Sequence, residues 1–497
     1  MKIKLLLLFL LILNGCTQVQ YRSARIENST DGAMVLRVIS NIAGASQFFG
    51  NWQSITLERI PLDGGERPTQ YVITPRLEAT SRTAIYAGAL PPGTYRFVQF
   101  SAQQCIYTCV SSWVDVPSSF SRFEVQSGRL TDLGELIQAW QGKKVIFSHS
   151  IKPDHARAEE VVKGVLPDLK QLLSQPLLSW NSESVPEYME SLFELSKGVS
   201  YGVVSVKNTN QGSFIYGSSN GVVYSWMPGQ APVPHDIDRR ASIESILVTP
   251  SGNWLAGGEL GVLQQSDDDG RHWRSIRGNL PFGVVVDLHY WHDKVIATSL
   301  RGNQVYVHSS AEGDNEWELL AHYETDISQL WDIPDVRPQS FLIDDQLITT
   351  VPGRKVAVMD LNSGVSDIRD LPGAMQMFSV SRDKVLRCRC AAVVVNPYES
   401  HDFGKTWRDS TSPRIMQMPI FRDEKNGVAF NDGFFAPSRM TYTSDGGNTW
   451  VETTKTPMFF KQLFYSRDGR SVYAGTPNGD FWISTDDGRH WRPVTKE

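Results

Sequence analysis

Cysteine is scarce in this chain, 5 of 497 residues, and no Cys or His pair has zinc-site spacing with a second half nearby. That pattern gives little support to a zinc-stapled fold. No apolar run approaches the roughly 20 residues that a membrane-spanning helix needs. The longest covers only residues 5–13. Blocks of basic charge are also missing. The 48 Lys and Arg are dispersed among 54 Asp and Glu, net charge −6, so no nucleic-acid footprint is present. Asp267-Asp268-Asp269-Gly270 lacks the Glu that closes an EF-hand about six residues past the Gly, because position 276 is Ile. Neither a metal nor a cofactor is expected.

What the chain does have is a recurring five-position pattern. It reads Ser266-Asp268-Gly270-His272-Trp273, then Ser400-Asp402-Gly404-Thr406-Trp407, then Thr443-Asp445-Gly447-Thr449-Trp450, then Ser484-Asp486-Gly488-His490-Trp491. The carboxylate and hydroxyl suit the backbone of a tight turn, Gly supplies positive φ, and Trp packs between repeats. Trp407 and Trp450 stand 43 residues apart, Trp450 and Trp491 41, and Trp273 and Trp407 134, or three units of about 44. Trp317 marks a decayed copy, Asn362-Ser363-Gly364 a hidden turn, and Met227-Pro228-Gly229 one more. Gly217 and Gly221, Gly257 and Gly261, and Gly475 and Gly479 repeat a second spacing beside short alternating strands. Seven four-stranded units over 198–497 predict a seven-bladed β-propeller. The five-position pattern resembles the BNR or Asp-box repeat, which implies this fold. That repeat occurs in sialidases, in glycan-binding proteins and in non-enzymatic assembly factors.

Lys2 and Lys4 precede the apolar run, which has the size of a signal-peptide core. Leu13-Asn14-Gly15-Cys16 resembles the bacterial lipobox. The resemblance implies a signal peptide over 1–15 and an acylated Cys16. Thr17, not Asp, favours an outer-membrane lipoprotein by analogy with enterobacterial sorting. The plainer reading is an ordinary secretory signal. Cys105 and Cys109 are expected to join in an oxidising periplasm. Cys388 and Cys390, on a regular strand, have Cα atoms about 6.5 to 7 Å apart and bridge only if the backbone bulges.

Residues 16–149 follow different grammar. Met34-Val35-Leu36-Arg37-Val38 and Ser54-Ile55-Thr56-Leu57 read as strands, and Leu90-Pro91-Pro92-Gly93 as a turn feeding another. The combination resembles a prealbumin-like β-sandwich. Residues 156–173 and 185–197 have helical spacing, interrupted at Pro167, and 150–197 is read as a helical connector. The whole is all-β: an N-terminal sandwich, the connector, then the propeller.

Two functions are open. A sialidase-like glycoside hydrolase needs an arginine triad and a Tyr nucleophile. The family's Arg-Ile-Pro motif occurs here only as Arg59-Ile60-Pro61, outside the propeller. The other reading is a docking or assembly platform for an envelope protein or glycan. Ile420-Phe421-Arg422-Asp423-Glu424-Lys425-Asn426-Gly427-Val428-Ala429-Phe430 with its following box resembles blades of the photosystem II assembly-factor family, which implies binding without catalysis. On the face opposite the boxes the expected contact residues are Arg239, Arg240, Phe282, Arg301, Arg414, Phe434, Phe435, Met458 and Phe459. Aromatics beside arginines are the composition of binding hot spots. His289 and His292 are expected on opposite faces of a strand edge.

Overall fold

The computed structural model describes residues 18–40, 52–61, 68–76, 83–105, 109–141, 144–198, 202–209, 212–237, 239–325, 337–381, 384–391, 395–410, 419–431, 439–455, 462–476 and 480–494. The chain divides into two compact units, 1–77 with 84–197, and 78–83 with 198–497.

The first unit has eleven strands among its described residues. They are β1 (Gln18–Arg22), β2 (Gly32–Ser40), β3 (Ser54–Arg59), β4 (Thr69–Ile73), β5 (Pro75–Arg76), β6 (Thr83–Leu90), β7 (Gly93–Cys105), β8 (Cys109–Asp115), β9 (Phe123–Val125), β10 (Leu130–Gln141) and β11 (Lys144–His149). One sheet runs β1-β4-β3-β7-β8 with β9 on β7, and the other β11-β10-β2-β6-β5. Strand alternation decides the inner faces: Ile55 and Leu57 are buried, while Ser54, Thr56 and Glu58 are half-buried on the other side. Leu36 and Val38 of β2, Tyr86 of β6 and Phe97 and Phe100 of β7 share one core, so both sheets bury a common apolar layer.

Helix α1 (His155–Val165) starts at Asp154, whose carboxylate accepts from the Ala156 N–H at 3.1 Å. It buries Ala158, Val161, Val162 and Val165, the i, i+3, i+4, i+7 stripe of an amphipathic helix. Pro167 does not kink it but restarts the chain as a 3-10 helix, Pro167–Ser174. With α2 (Met189–Lys197), these pieces pack against β10 and β11. The segment read as a connector is thus a layer of the first unit. Cys105 and Cys109 are backbone register partners of β7 and β8. Cys16 lies outside the described residues.

The second unit contains, among its described residues, seven four-stranded antiparallel sheets in strict chain order. The first is Ser205–Asn208, Phe214–Gly217, Val222–Trp226 and Val233–Asp236. Every turn expected from sequence falls between the third and fourth strands of a sheet: 227–232, 267–273, 312–317, 361–365, 401–407, 444–450 and 485–491. The glycine spacing has a steric cause. A Cβ on Gly217 would lie 2.5 Å from Ile243, and one on Gly257 2.6 Å from Val285, each on the first strand of the next sheet. Gly475 of the seventh sheet stands in the same relation to Val203, just ahead of the first, at 3.1 Å. The ring thereby closes. Phe214 meets Phe464 at 5.0 Å, and Trp226 stacks on Phe481 at 4.0 Å. This is a β-propeller.

Cys388 and Cys390 form a close pair in the second strand of the fifth sheet, Leu386–Ala391, with Cα atoms 5.6 Å apart. The expected bulge is on the neighbouring strand instead, between Met375 and Met377. Both cysteines are buried in that sheet's core.

Candidate functional site

Carboxylates cluster in two places in the second unit, and each has a different role. In the first box the Ser266 hydroxyl donates to Asp268 Oδ1 at 2.9 Å and accepts from the Gly270 N–H at 2.9 Å. The same Asp oxygen accepts from the His272 N–H at 2.9 Å, and the other oxygen meets His272 Nδ1 at 2.5 Å. The boxes at Asp402, Asp445 and Asp486 repeat these bonds with Thr406, Thr449 and His490. The Thr449 hydroxyl and N–H hold Asp445 down at about 2. Gly270, Gly404, Gly447 and Gly488 all take positive φ. Indole N–H groups of Trp273, Trp450 and Trp491 donate to the glycine carbonyls of their own boxes. That bond is missing at Trp407, whose buried Nε1 has no partner. The box tryptophans are half-buried; the decayed copy, Trp317, is the buried one, donating to the Ile276 carbonyl at 2.8 Å. The carboxylates are spent on turns. Among the described residues no group of three or more His, Cys, Asp or Glu can hold a metal ion.

On the face opposite the boxes, the predicted contact residues separate. Arg301 is exposed at the hairpin joining 294–301 to 304–311, and Arg239 is half-buried. Arg240 is buried and bonded to Asp236, and Phe282 is buried beneath the Arg277 guanidinium, 5.8 Å from its ring centre. Neither offers a free surface: each is buried in a segment that connects one sheet to the next. Arg414, Phe434, Phe435, Met458 and Phe459 lie outside the described residues.

The second cluster was not foreseen. It forms around the first strands of the second, third and fourth sheets. Arg337 pairs with Glu244 at 2.7 Å and with Glu259, both buried. The Ser242 hydroxyl donates to Glu244 at 2.5 Å. Next along, the Ser340 N–H donates to Asp287 at 2.7 Å. Ser340 Oγ lies 2.9 Å from His289 Nε2 and accepts from Thr298 Oγ1 at 2.9 Å. Burial away from water raises the Asp287 carboxyl to about 7, and the Ser340 N–H and Lys207 lower it less. Burial, then Lys207, pushes His289 down to about 3. His289 and Ser340 therefore have the spacing of a base and a nucleophile but not the chemistry. An imidazole so weakly basic is a poor proton acceptor near neutrality. The Ser340 side chain is buried, and among the described residues no carboxylate hydrogen-bonds to His289. His292, expected on the opposite face of this strand, sits instead in the following turn at φ 54°. Asp287 and His289 alternate on one strand face, a period-2 signal of polar residues turned inward. Arg337, distant in sequence, gave no such signal.

No family model matches the chain and no curated protein matches it. Solved structures do match. A structure of YCF48 bound to D1 peptide is 12% identical, covers 58% of this chain and 95% of its own, with TM-score 0.46. YCF48 from Cyanidioschyzon merolae is 13% identical, covering 57% and 95%, with TM-score 0.42. The WD40 β-propeller domain of Doa1 is 12% identical, covering 59% and 96%, with TM-score 0.43. At these values the likenesses carry no functional information, and the fold is read from strand order and the closing contacts between the seventh sheet and the first.

Proposed function

We propose that this protein is an envelope lipoprotein whose second unit, a seven-bladed propeller built on Asp-box turns, docks a protein partner and does not catalyse. The observation that carries this reading is the fate of the polar side chains. Among the described residues the box carboxylates are consumed by turns and the inner cluster, Ser340 and His289 included, by ion pairs and hydrogen bonds. Arg59-Ile60-Pro61 ends β3 in the first unit, so it supplies no arginine to the ring. A rigid disc with loops at its rim remains, and Arg301 stands on those loops. The first unit is a prealbumin-like sandwich in this reading, and Cys16 is the acylated N-terminus, held by several acyl chains in the outer membrane.

The test is capture from detergent-solubilised envelope. Arg301→Ala should reduce recovery of a defined partner while leaving the thermal midpoint nearly unchanged, since exposed loop positions contribute little to folding. Turnover of a sialyl or other glycoside reporter, abolished by one Tyr or Asp substitution in the second unit, would instead establish the hydrolase.

A further inference from the structure

The outer face of the six-stranded sheet in the first unit carries exposed aromatics at both of its edges. β1 and β8 are the two edge strands. Tyr21 on β1 is 79% exposed, Val19 51%, and Trp113 on β8 62%. Register places all three on one face. Tyr21 pairs with Val72, Val72 with Thr56, Thr56 with Gln99, and Gln99 with Asp115, two residues from Trp113. Between the edges the face is polar, and with Glu58, Asp115 and Glu124 against one arginine it has a small acidic excess. Among its described residues it has no lysine, and its one arginine, Arg96, is paired with Glu58 at 2.7 Å.

The chain ahead of this face is short. Val19 follows Cys16 by three residues, which span at most about 11 Å when fully extended. Acyl chains on Cys16 would put that residue in the bilayer surface, and so short a tether cannot hold β1 far from it. Tyr and Trp favour this interface, with the ring in the acyl boundary and the polar atom in water. The net charge of −6 and the lack of lysine make attraction to anionic headgroups a poor alternative. The aromatics must supply the contact.

We infer that the Val19, Tyr21 and Trp113 face of the first unit lies on the lipid bilayer, a second contact beside the acyl anchor that fixes how this unit is oriented on the membrane. The inference rests on the reading of Cys16 as an acylated residue. Its occupant is the lipid interface; a protein or glycan on the same face is the outcome that the test must exclude.

Hydroxyl-radical footprinting of the acylated full-length protein, in vesicles of phosphatidylethanolamine and phosphatidylglycerol, reads the face without any substitution. The reference is a form lacking residues 1–16, free in solution. Tyr21 and Trp113 should be modified several-fold less on vesicles, while Tyr188, exposed elsewhere in the same unit, should be unchanged. Equal modification of Tyr21 and Trp113 in both samples overturns the inference and leaves the anchor standing. These vesicles contain no other protein or glycan, so protection there cannot come from such a partner. An N-terminal peptide whose mass shows an unacylated Cys16 overturns both.

Discussion

Asp445 and Asp287 titrate in opposite directions, and the sign of each is set by its partners. Asp445 is held at about 2 by donors from Thr449, below its unfolded value. Its contribution to stability is present above about pH 4 and is lost as pH falls through about 2. The gap in thermal midpoint between wild type and Asp445→Asn should therefore be wide at about pH 5 and narrow toward pH 2. A constant gap would mean that the carboxylate does not hold the turn. Asp287, raised to about 7, works the other way. Between about pH 4 and 7 the unfolded chain has lost a proton that the native state keeps, so stability falls as pH rises. Asp287→Asn should be more favourable relative to wild type at about pH 7.5 than at pH 4. The reverse trend in a pH series of melts contradicts the burial of that carboxyl. The boxes were legible because five residue types recur locally. Asp287, His289 and Arg337 were not, because their juxtaposition depends on how neighbouring sheets are set against one another, and no local pattern encodes it.

At the scale of elements, the glycines at the ends of second strands matter as much as the boxes. They leave room for the first strand of the next sheet, at Ile243 and Val285. Gly257→Val should overpack this junction, costing about 1–3 kcal/mol by chemical denaturation. A neutral result would show that the sheets do not meet there. The spacing of these glycines was readable in sequence, although its steric cause was not. The tryptophans give a contrast. Trp450 is only half-buried, so Trp450→Ala should cost less than the roughly 3–5 kcal/mol of a fully buried aromatic. Trp226, buried and stacked on Phe481, should show that full cost. Equal losses would contradict the burial assigned to the box positions. The helices of the first unit were legible from their apolar stripe, and Pro167 from its chemistry. Their packing on β10 and β11 was not, because an amphipathic face announces that it is covered but does not say by what.

At the scale of the whole molecule, the second unit is a cyclic object in which the last sheet completes the first. Phe464, Tyr473 and Phe481 belong to the same core as Phe214 and Trp226. Deleting 456–497 should therefore expose that core and abolish cooperative unfolding of the second unit, where a linear array would lose only one sheet. The period of about 44 residues made the number of sheets legible, and the Gly475–Val203 contact supplies the closure that the period could not. The contact surface was less legible. Arg240 and Phe282 looked like binding residues because arginine and phenylalanine serve junctions and interfaces equally well, and only burial separates the two uses. The docking account is tested most directly by photo-crosslinking in the intact envelope, with a benzophenone amino acid placed at position 301 or at position 365. Arg301 lies at a hairpin between second and third strands, and Val365 at a turn between third and fourth, so the two mark opposite ends of the sheets. The account predicts one protein crosslinked from position 301 and none from position 365. Equal adducts from both positions, or none from 301, would contradict it.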